Sequence, residues 1–379
     1  MITAPSDALS QRHHAVRAAL TQASLDALVV TSLPNVLYLT NFRGTAAIAV
    51  LAHDGIRFIT DGRYAATVQA MQGSPQACPG LDLTLVGGSY DATLAEVIAA
   101  APWRRVGFEA ANLTVSRHEW LSATLLSAGC TATLVPTQGM VERPRVRKDA
   151  HEIAMLMEGG RRLSAVASEV FTFVRQGRRE LEIAADIDWH LRRAGFERPA
   201  FDTIVASGPN SALPHARPGE RTLGEGDLVV LDFGGVYASY CVDLTRTVVV
   251  GRASERARDV HRAVLAAQQQ AIARVAPGVS RFDIDGAARA SLVAAGMGEA
   301  FGHGTGHGLG IEIHEDPRVV QRKTGVDARD EAVEVGMVFT IEPGAYFPGW
   351  GGVRIEDDLV VTEQGATLLT SVTTELLEV

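Results

Sequence analysis

The chain has 379 residues, more than one hydrophobic core commonly supports, so two domains are expected. Apolar residues make up 46% and charged residues 21%, ordinary for a globular protein, and a formal charge of −9 speaks against a nucleic-acid partner. The start MITAPSDALSQRHH lacks the grammar of a secretion signal, no apolar run approaches the ~20 residues that span a bilayer, and Cys78, Cys130 and Cys241 lack metal or CxxC spacing, so a cytoplasmic protein is expected.

In chain order, short apolar runs alternate with helical patterns over residues 1–140, as in an α/β layer. LDALVV, AAIAVLA, IRFIT, LDLTLVG and TATLVP read as strands. LSQRHHAVRAALTQA, TLAEVIAAA and RHEWLSATLLSAG carry apolar residues at helical spacing. Pro136, Gly139 and Pro144 break the pattern and place a domain boundary at residues 136–148, with the second domain over 145–379. Asp149 is positioned to cap a long helix that Gly177 would end.

The second domain has long helices first, then strand pairs, two further helices (ERARDVHRAVLAAQQQAIARVA and RFDIDGAARASLVAAG), and two more strands, an α+β plan. LVVLDFGG…DLTRTVVV and MVFTIEPG…VRIEDDLVV share one scheme of strand, turn and strand with a carboxylate on each, which suggests an internal duplication. A hairpin turning at Tyr237–Ala238 sets Asp232 across from Asp243, and a connection centred near Gly349 sets Glu342 across from Glu356. Like charges facing each other on a sheet are unfavourable, and buried unpaired carboxylates are far more so. The four acids therefore need cations, or they are not buried together. Two divalent ions balance the charge; oxygen ligands with one imidazole suit Mn²⁺ first, with Co²⁺ or Zn²⁺ possible.

Beside them stands FGHGTGHGLGIEIHED, residues 301–316. Its glycines disfavour a helix, so His303 and His307 are not a helical HxxxH pair. In an extended chain His303, Thr305, His307 and Leu309 share a face, while glycine on the other face lets backbone approach closely. His314 has the opposite parity, so a bend must intervene if it serves the same site.

VVLDFG, DLTRT, GHGTGHGLGIEIHEDP, FTIEPG and VRIEDD, in this order, resemble the pita-bread metallopeptidases, from about residue 145 to the end. PNVLYLTNFRGT and TDGRY resemble the creatinase-type N-terminal domain of that family's proline-specific branch, which methionine aminopeptidases lack. The resemblance implies an α/β N-terminal domain for dimerisation and substrate-length restriction, and a pita-bread catalytic domain. It implies two metals on Asp232, Asp243, His307, Glu342 and Glu356, with Asp243 and Glu356 as bridges. It further implies Glu342 as general base, His303 and His314 as donors to the carbonyl oxygen, and His215 beside the proline ring. Arg318 would take a dipeptide's C-terminal carboxylate, Arg354 would orient the carboxylates, and Tyr346 would support substrate or oxyanion. Asp61 and Arg63 of TDGRY would either reach a neighbouring subunit's site or cap a helix. The expected activity is that of a homodimeric Xaa-Pro dipeptidase, with an Xaa-Pro aminopeptidase next and a non-catalytic binding scaffold third.

Overall fold

A computed structural model describes residues 2–322 and 332–379. The chain forms two compact units, Met1–Arg145 and Val146–Val379. Among the described residues, no helix is long and apolar enough to cross a membrane.

The first unit runs α1 (Ser6–Gln22), β1 (Ala27–Val30), α2 (Leu33–Thr40), β2 (Ile48–Ala52), β3 (Ile56–Thr60), α3 (Ala65–Gln72), β4 (Leu81–Leu85), α4 (Tyr90–Ala100), β5 (Arg105–Glu109), α5 (Val115–Ser127) and β6 (Thr133–Thr137). The strands form one mixed sheet in the order β4-β3-β2-β1-β5-β6. Central β1 is antiparallel to β2 and parallel to β5, and all four of its residues are buried, which is why it reads as an unbroken apolar run. Strand β5, with α2 and α3, is absent from the sequence reading. Its sequence RVGFE puts glycine where a side chain would press within 2.9 Å of Leu25 Cδ1 and ends on a carboxylate. That Glu109 carboxylate accepts the N–H groups of Thr31 (2.7 Å) and Ser32 (2.8 Å) and the Asn35 amide, so a charged strand end is spent on securing the start of α2.

A short helix α6 (Glu142–Val146) leads to α7 (Ala150–Val170), which a reciprocal Asp149–Glu152 capping box opens. The helix stops at Val170, seven positions short of Gly177. Phe171, Phe173 and Val174 turn into the core there instead of continuing the helix, and Gly177, at φ +85°, belongs to a later turn. Then follow α8 (Glu180–Arg193), β7 (Arg198–Pro199), β8 (Ile204–Ser207), β9 (Leu228–Asp232), β10 (Gly235–Tyr237), β11 (Tyr240–Val242) and β12 (Leu244–Val249). The second half has α9 (Glu255–Arg274), α10 (Arg281–Ala294), β13 (Gly306–Gly308), β14 (Glu315–Val319), β15 (Val338–Ile341), β16 (Gly344–Phe347), β17 (Gly351–Arg354), β18 (Glu356–Thr362) and β19 (Gly365–Leu368).

The main sheet has the order β14-β13-β15-β18-β12-β9-β8, with β19 beside β18. Helices α7 and α8 contribute Leu156, Leu163, Ile183 and Ile187 to one apolar cluster; α9 and α10 contribute Val260, Val264, Ile284 and Leu292 to another. Each such side chain, fully buried, contributes about 1.5–3 kcal/mol. Gly160 in α7 lets the helix touch the chain end, because a β-carbon there would sit 2.2 Å from the Leu369 carbonyl. The duplication expected from sequence is visible as a repeated plan: a helix pair followed by a hairpin broken in mid-strand, β9–β12 in one half and β15–β18 in the other.

Candidate metal centre

The breaks in the two hairpins carry the acids. In the first, Ala238 and Ser239 adopt positive φ (49° and 74°) and make a two-residue turn that pairs Tyr237 with Tyr240. The turn is therefore one residue later than expected, and the register moves by two. Asp232 faces Thr245, not Asp243. A shift of two preserves parity, so both acids stay on the same face. Asp243 occupies the gap between β11 and β12, where its N–H donates to Asp358 (2.7 Å). In the second hairpin, Ile341 pairs with Asp357 and Gly344 with Arg354, one common register that sets Glu342 opposite Glu356 as expected.

Strand β13 supplies His307, and its glycines are required by contact. A β-carbon at Gly306 would lie 1.9 Å from the Thr340 carbonyl, and one at Gly308 would lie 2.2 Å from that of Asp316. His307 Nδ1 sits 3.1 Å from the Gly308 carbonyl, so it carries the proton and Nε2 is left as a ligand atom. A bulge between His307 and Gly308 supplies the required bend and brings the His314 ring to 4.3 Å from the His307 ring.

Ligand atoms of Asp243, His307 and Glu356 all lie within 4.8 Å of one another, and Glu342 Oε1 is 3.6 Å from His307 Nε2. Asp232 is held by Arg354 Nη2 at 2.5 Å through Oδ2, while its Oδ1 is buried without a hydrogen-bond partner. Thr245 donates to Glu356 Oε2 (2.5 Å). Arg246, buried, ties β12 to β18 through the Glu356 carbonyl (2.6 Å) and the Asp357 carboxylate (2.8 Å). Burial, reinforced by the neighbouring acids, pushes Asp243, Glu356 and Asp358 well above the carboxylate range; burial raises Glu342 to about 8, against the pull of Arg354. His307 is lowered to about 3, first by burial and then by His314, so its imidazole is neutral. Four crowded acids, one balancing guanidinium, a neutral imidazole and an unpartnered Asp232 oxygen are the donor set that divalent cations satisfy.

Of the other expected residues, His215 and His314 line one cavity with this set, whereas His303, Tyr346, Arg354 and Arg318 are not part of its lining. A cavity of about 280 Å³ is lined by the five residues expected as ligands (Asp232, Asp243, His307, Glu342 and Glu356), by His215 and His314, and by an apolar wall of Phe201, Ile204 and Ile313. Arg354 is buried and donates to the Tyr346 hydroxyl (2.8 Å), which lies 3.0 Å from His303 Nε2. His303 Nδ1 meets the Gly304 carbonyl (2.7 Å), and burial lowers its pKa to about 4. Its ring thus stands behind Tyr346 and not on the cavity wall, with both nitrogens engaged. Arg318 is exposed on β14 and is not among the cavity-lining residues, whereas Arg217 is. Asp61 and Arg63 form a local pair (2.8 Å), with the Arg63 N–H on the same carboxylate, the geometry of a turn cap. Sequence reasoning missed Asp285 and Arg289 of α10, which hold Thr305 and the carbonyls of Phe301 and His303 and so fix the glycine-rich segment. Their helical i, i+4 spacing was the available signal.

A unit that brings a histidine and four acids from broken hairpins into one small cavity defines a metal-dependent hydrolase of the pita-bread type. Residues 154–363 match the metallopeptidase family M24 and residues 12–147 match the creatinase/prolidase N-terminal domain, and the chain belongs to family M24. It is 38% identical over 357 residues to the peptidase YqhT of Bacillus subtilis (94% of this chain and 96% of that one). The structure of an Xaa-Pro dipeptidase from Bacillus anthracis superposes with a TM-score of 0.90 at 34% identity, covering 98% of this chain and 100% of the other. An X-Pro aminopeptidase from Thermotoga maritima gives 0.85 at 31% identity, covering 94% and 98%. The protein is therefore a peptidase, with divalent metal as the family's cofactor.

Proposed function

We propose that the chain is an Xaa-Pro dipeptidase working with two divalent ions, Mn²⁺ first, held by Asp232, Asp243, His307, Glu342 and Glu356. The observation that carries the reading is the buried carboxylate cluster with an unpartnered Asp232 oxygen, opening on a cavity whose ~280 Å³ suits a dipeptide. Bound there, the ions supply Lewis-acid activation of the scissile carbonyl and of water. Glu342 takes the proton of the attacking water and passes it to the departing imino nitrogen. His314 donates to the carbonyl oxygen, and His215 lies along the proline ring. Arg354, Tyr346 and His303 form a relay of hydrogen bonds that holds Asp232, since a neutral His303 protonated on Nδ1 must accept from Tyr346 at Nε2. Arg318 takes the substrate carboxylate. Homodimerisation and a cytoplasmic location belong to the same reading; the described cysteines, all unpaired, support a reducing compartment.

An Xaa-Pro aminopeptidase is the second reading, favoured by the exposure of Arg318 outside the cavity lining and by Arg217 within it. Comparing kcat/KM of Mn²⁺-loaded protein on an Xaa-Pro dipeptide and the matching Xaa-Pro-Yaa tripeptide separates the two. A dipeptide preference that Arg318→Ala abolishes upholds the first; a tripeptide preference indifferent to Arg318 replaces it with the second. Inactivity on both with metal bound refutes both.

A further inference from the structure

Lys148 is a buried cation that the chemistry above does not use. Its side chain is 0% exposed and meets Glu315, 8% exposed, at 3.2 Å. A buried ion pair costs more to desolvate than it commonly returns, so its presence calls for a geometric reason. Glu315 directly follows His314 and is the ladder partner of Gly308, which directly follows His307. The two histidines are thus the neighbours of one backbone pair, and the loop 309–314 runs between them.

Both carboxylate oxygens of Glu315 are spent on that loop's frame. Oε2 takes Lys148, and Oε1 accepts the N–H of Glu312 at 3.0 Å. The Gly310 N–H donates to the Glu312 carbonyl (3.0 Å), and the Gly310 carbonyl accepts from Cys241 (2.7 Å) on the strand leading to Asp243. Glycine is needed at 310 because a β-carbon would stand 2.9 Å from the Glu315 carboxylate and 3.0 Å from Lys148 Cε. Lys148 in turn is anchored by its own N–H on the Gly336 carbonyl (2.8 Å), one residue before the Asp149 cap of α7. The pair therefore connects a rigid helix start to the loop that presents His314.

We propose that the buried Lys148–Glu315 pair is a positioning device for peptide hydrolysis, fixing loop 309–314 so that the His314 ring stays against His307. It rests on the role given to His314 in the proposed function. Neither residue lines the cavity or belongs to the proposed ligand set, so the pair acts through placement of the loop that carries His314. Lys148→Met keeps length and volume while removing the ammonium that meets Glu315; Lys148→Arg keeps the charge.

The test uses full-length Mn²⁺-loaded protein with four readouts: amide hydrogen exchange, metal stoichiometry, kcat and KM on an Xaa-Pro dipeptide. In Lys148→Met, exchange across 309–315 should quicken at least tenfold while the rest of the unit holds. Metal content should persist, KM should stay within a few-fold, and kcat should fall roughly 10- to 100-fold, the usual cost of a misplaced catalytic group. Lys148→Arg should recover most of kcat. Exchange unchanged at the loop overturns the proposal, as does quickening spread evenly over the unit, or a loosened loop with wild-type kcat. Should Lys148→Met fail to fold, Glu315→Gln breaks the same pair isosterically and is read by the same criteria. A wild-type protein inactive on Xaa-Pro substrates strikes the proposed function, and loop exchange then decides the clamp by itself.

Discussion

Removing metal should make the catalytic unit less stable as pH rises from 5 to 7.5. Glu342 has its pKa raised from 4.5 to about 8, and Asp243, Glu356 and Asp358 are raised in the same direction. Above pH ~4.5 the unfolded chain releases a proton that the metal-free folded state keeps, so stability is full below that pH and is lost as the pH climbs through the folded pKa. For Glu342 alone, at about 1.4 kcal/mol per unit, the loss between pH 5 and 7.5 is about 3 kcal/mol. In a unit of this size that is a fall in Tm of about 6–12 °C. The assay is thermal unfolding of chelator-treated protein across the interval, repeated with saturating Mn²⁺. Ligand carboxylates must be deprotonated to bind, so metal affinity climbs with pH and the loaded protein should lose the downward slope. Glu342→Gln should flatten the metal-free slope. A metal-free Tm that is level or rises from pH 5 to 7.5 would refute the burial of these acids as a repelling cluster.

Tyr346→Phe should lower kcat by less than tenfold, since the hydroxyl proton is committed to His303; a loss of about 10²–10³, the worth of a direct oxyanion donor, would show Tyr346 turning to the substrate. Gly306→Ala should cost about 3 kcal/mol or more and reduce metal stoichiometry, because its β-carbon meets backbone at Thr340 that cannot yield; a native Tm would contradict that close approach. In the first unit, burial lowers His13 from 6.5 to about 4, so the folded state refuses a proton that the unfolded chain takes. Stability there should drop by up to about 3 kcal/mol as pH falls from about 6.5 to 4, and the acid limb of unfolding should flatten in His13→Gln.

What could be read from the sequence, and what could not, follows the range of the forces involved. The acids of VVLDFG, DLTRT, FTIEPG and VRIEDD were legible as a set because alternation along a strand is local and because burying like charges together demands a remedy. The partner of Asp232 was not legible. A hairpin register hangs on which two residues take positive φ, and Ala238–Ser239 lacks the asparagine and glycine that announce such a turn. The glycine ladder around His307 was read correctly as a demand for close approach, yet what approaches, the carbonyls of Thr340 and Asp316, is distant in sequence or across a bulge. The same limit hid the rear of the site. Arg246 on Glu356, Asp285 on Thr305 and Asp358 on Asp243 are contacts between segments that only the folded sheet brings together. His303 shows the converse error. Its spacing from His307 placed it on the ligand face, but the strand begins only at Gly306, and before it the chain turns the imidazole toward Tyr346. A histidine two strand steps from His307 thus reaches Asp232 through Tyr346 and Arg354, so the glycine-rich segment meets the two hairpins at different depths: His307 directly, His303 through a relay.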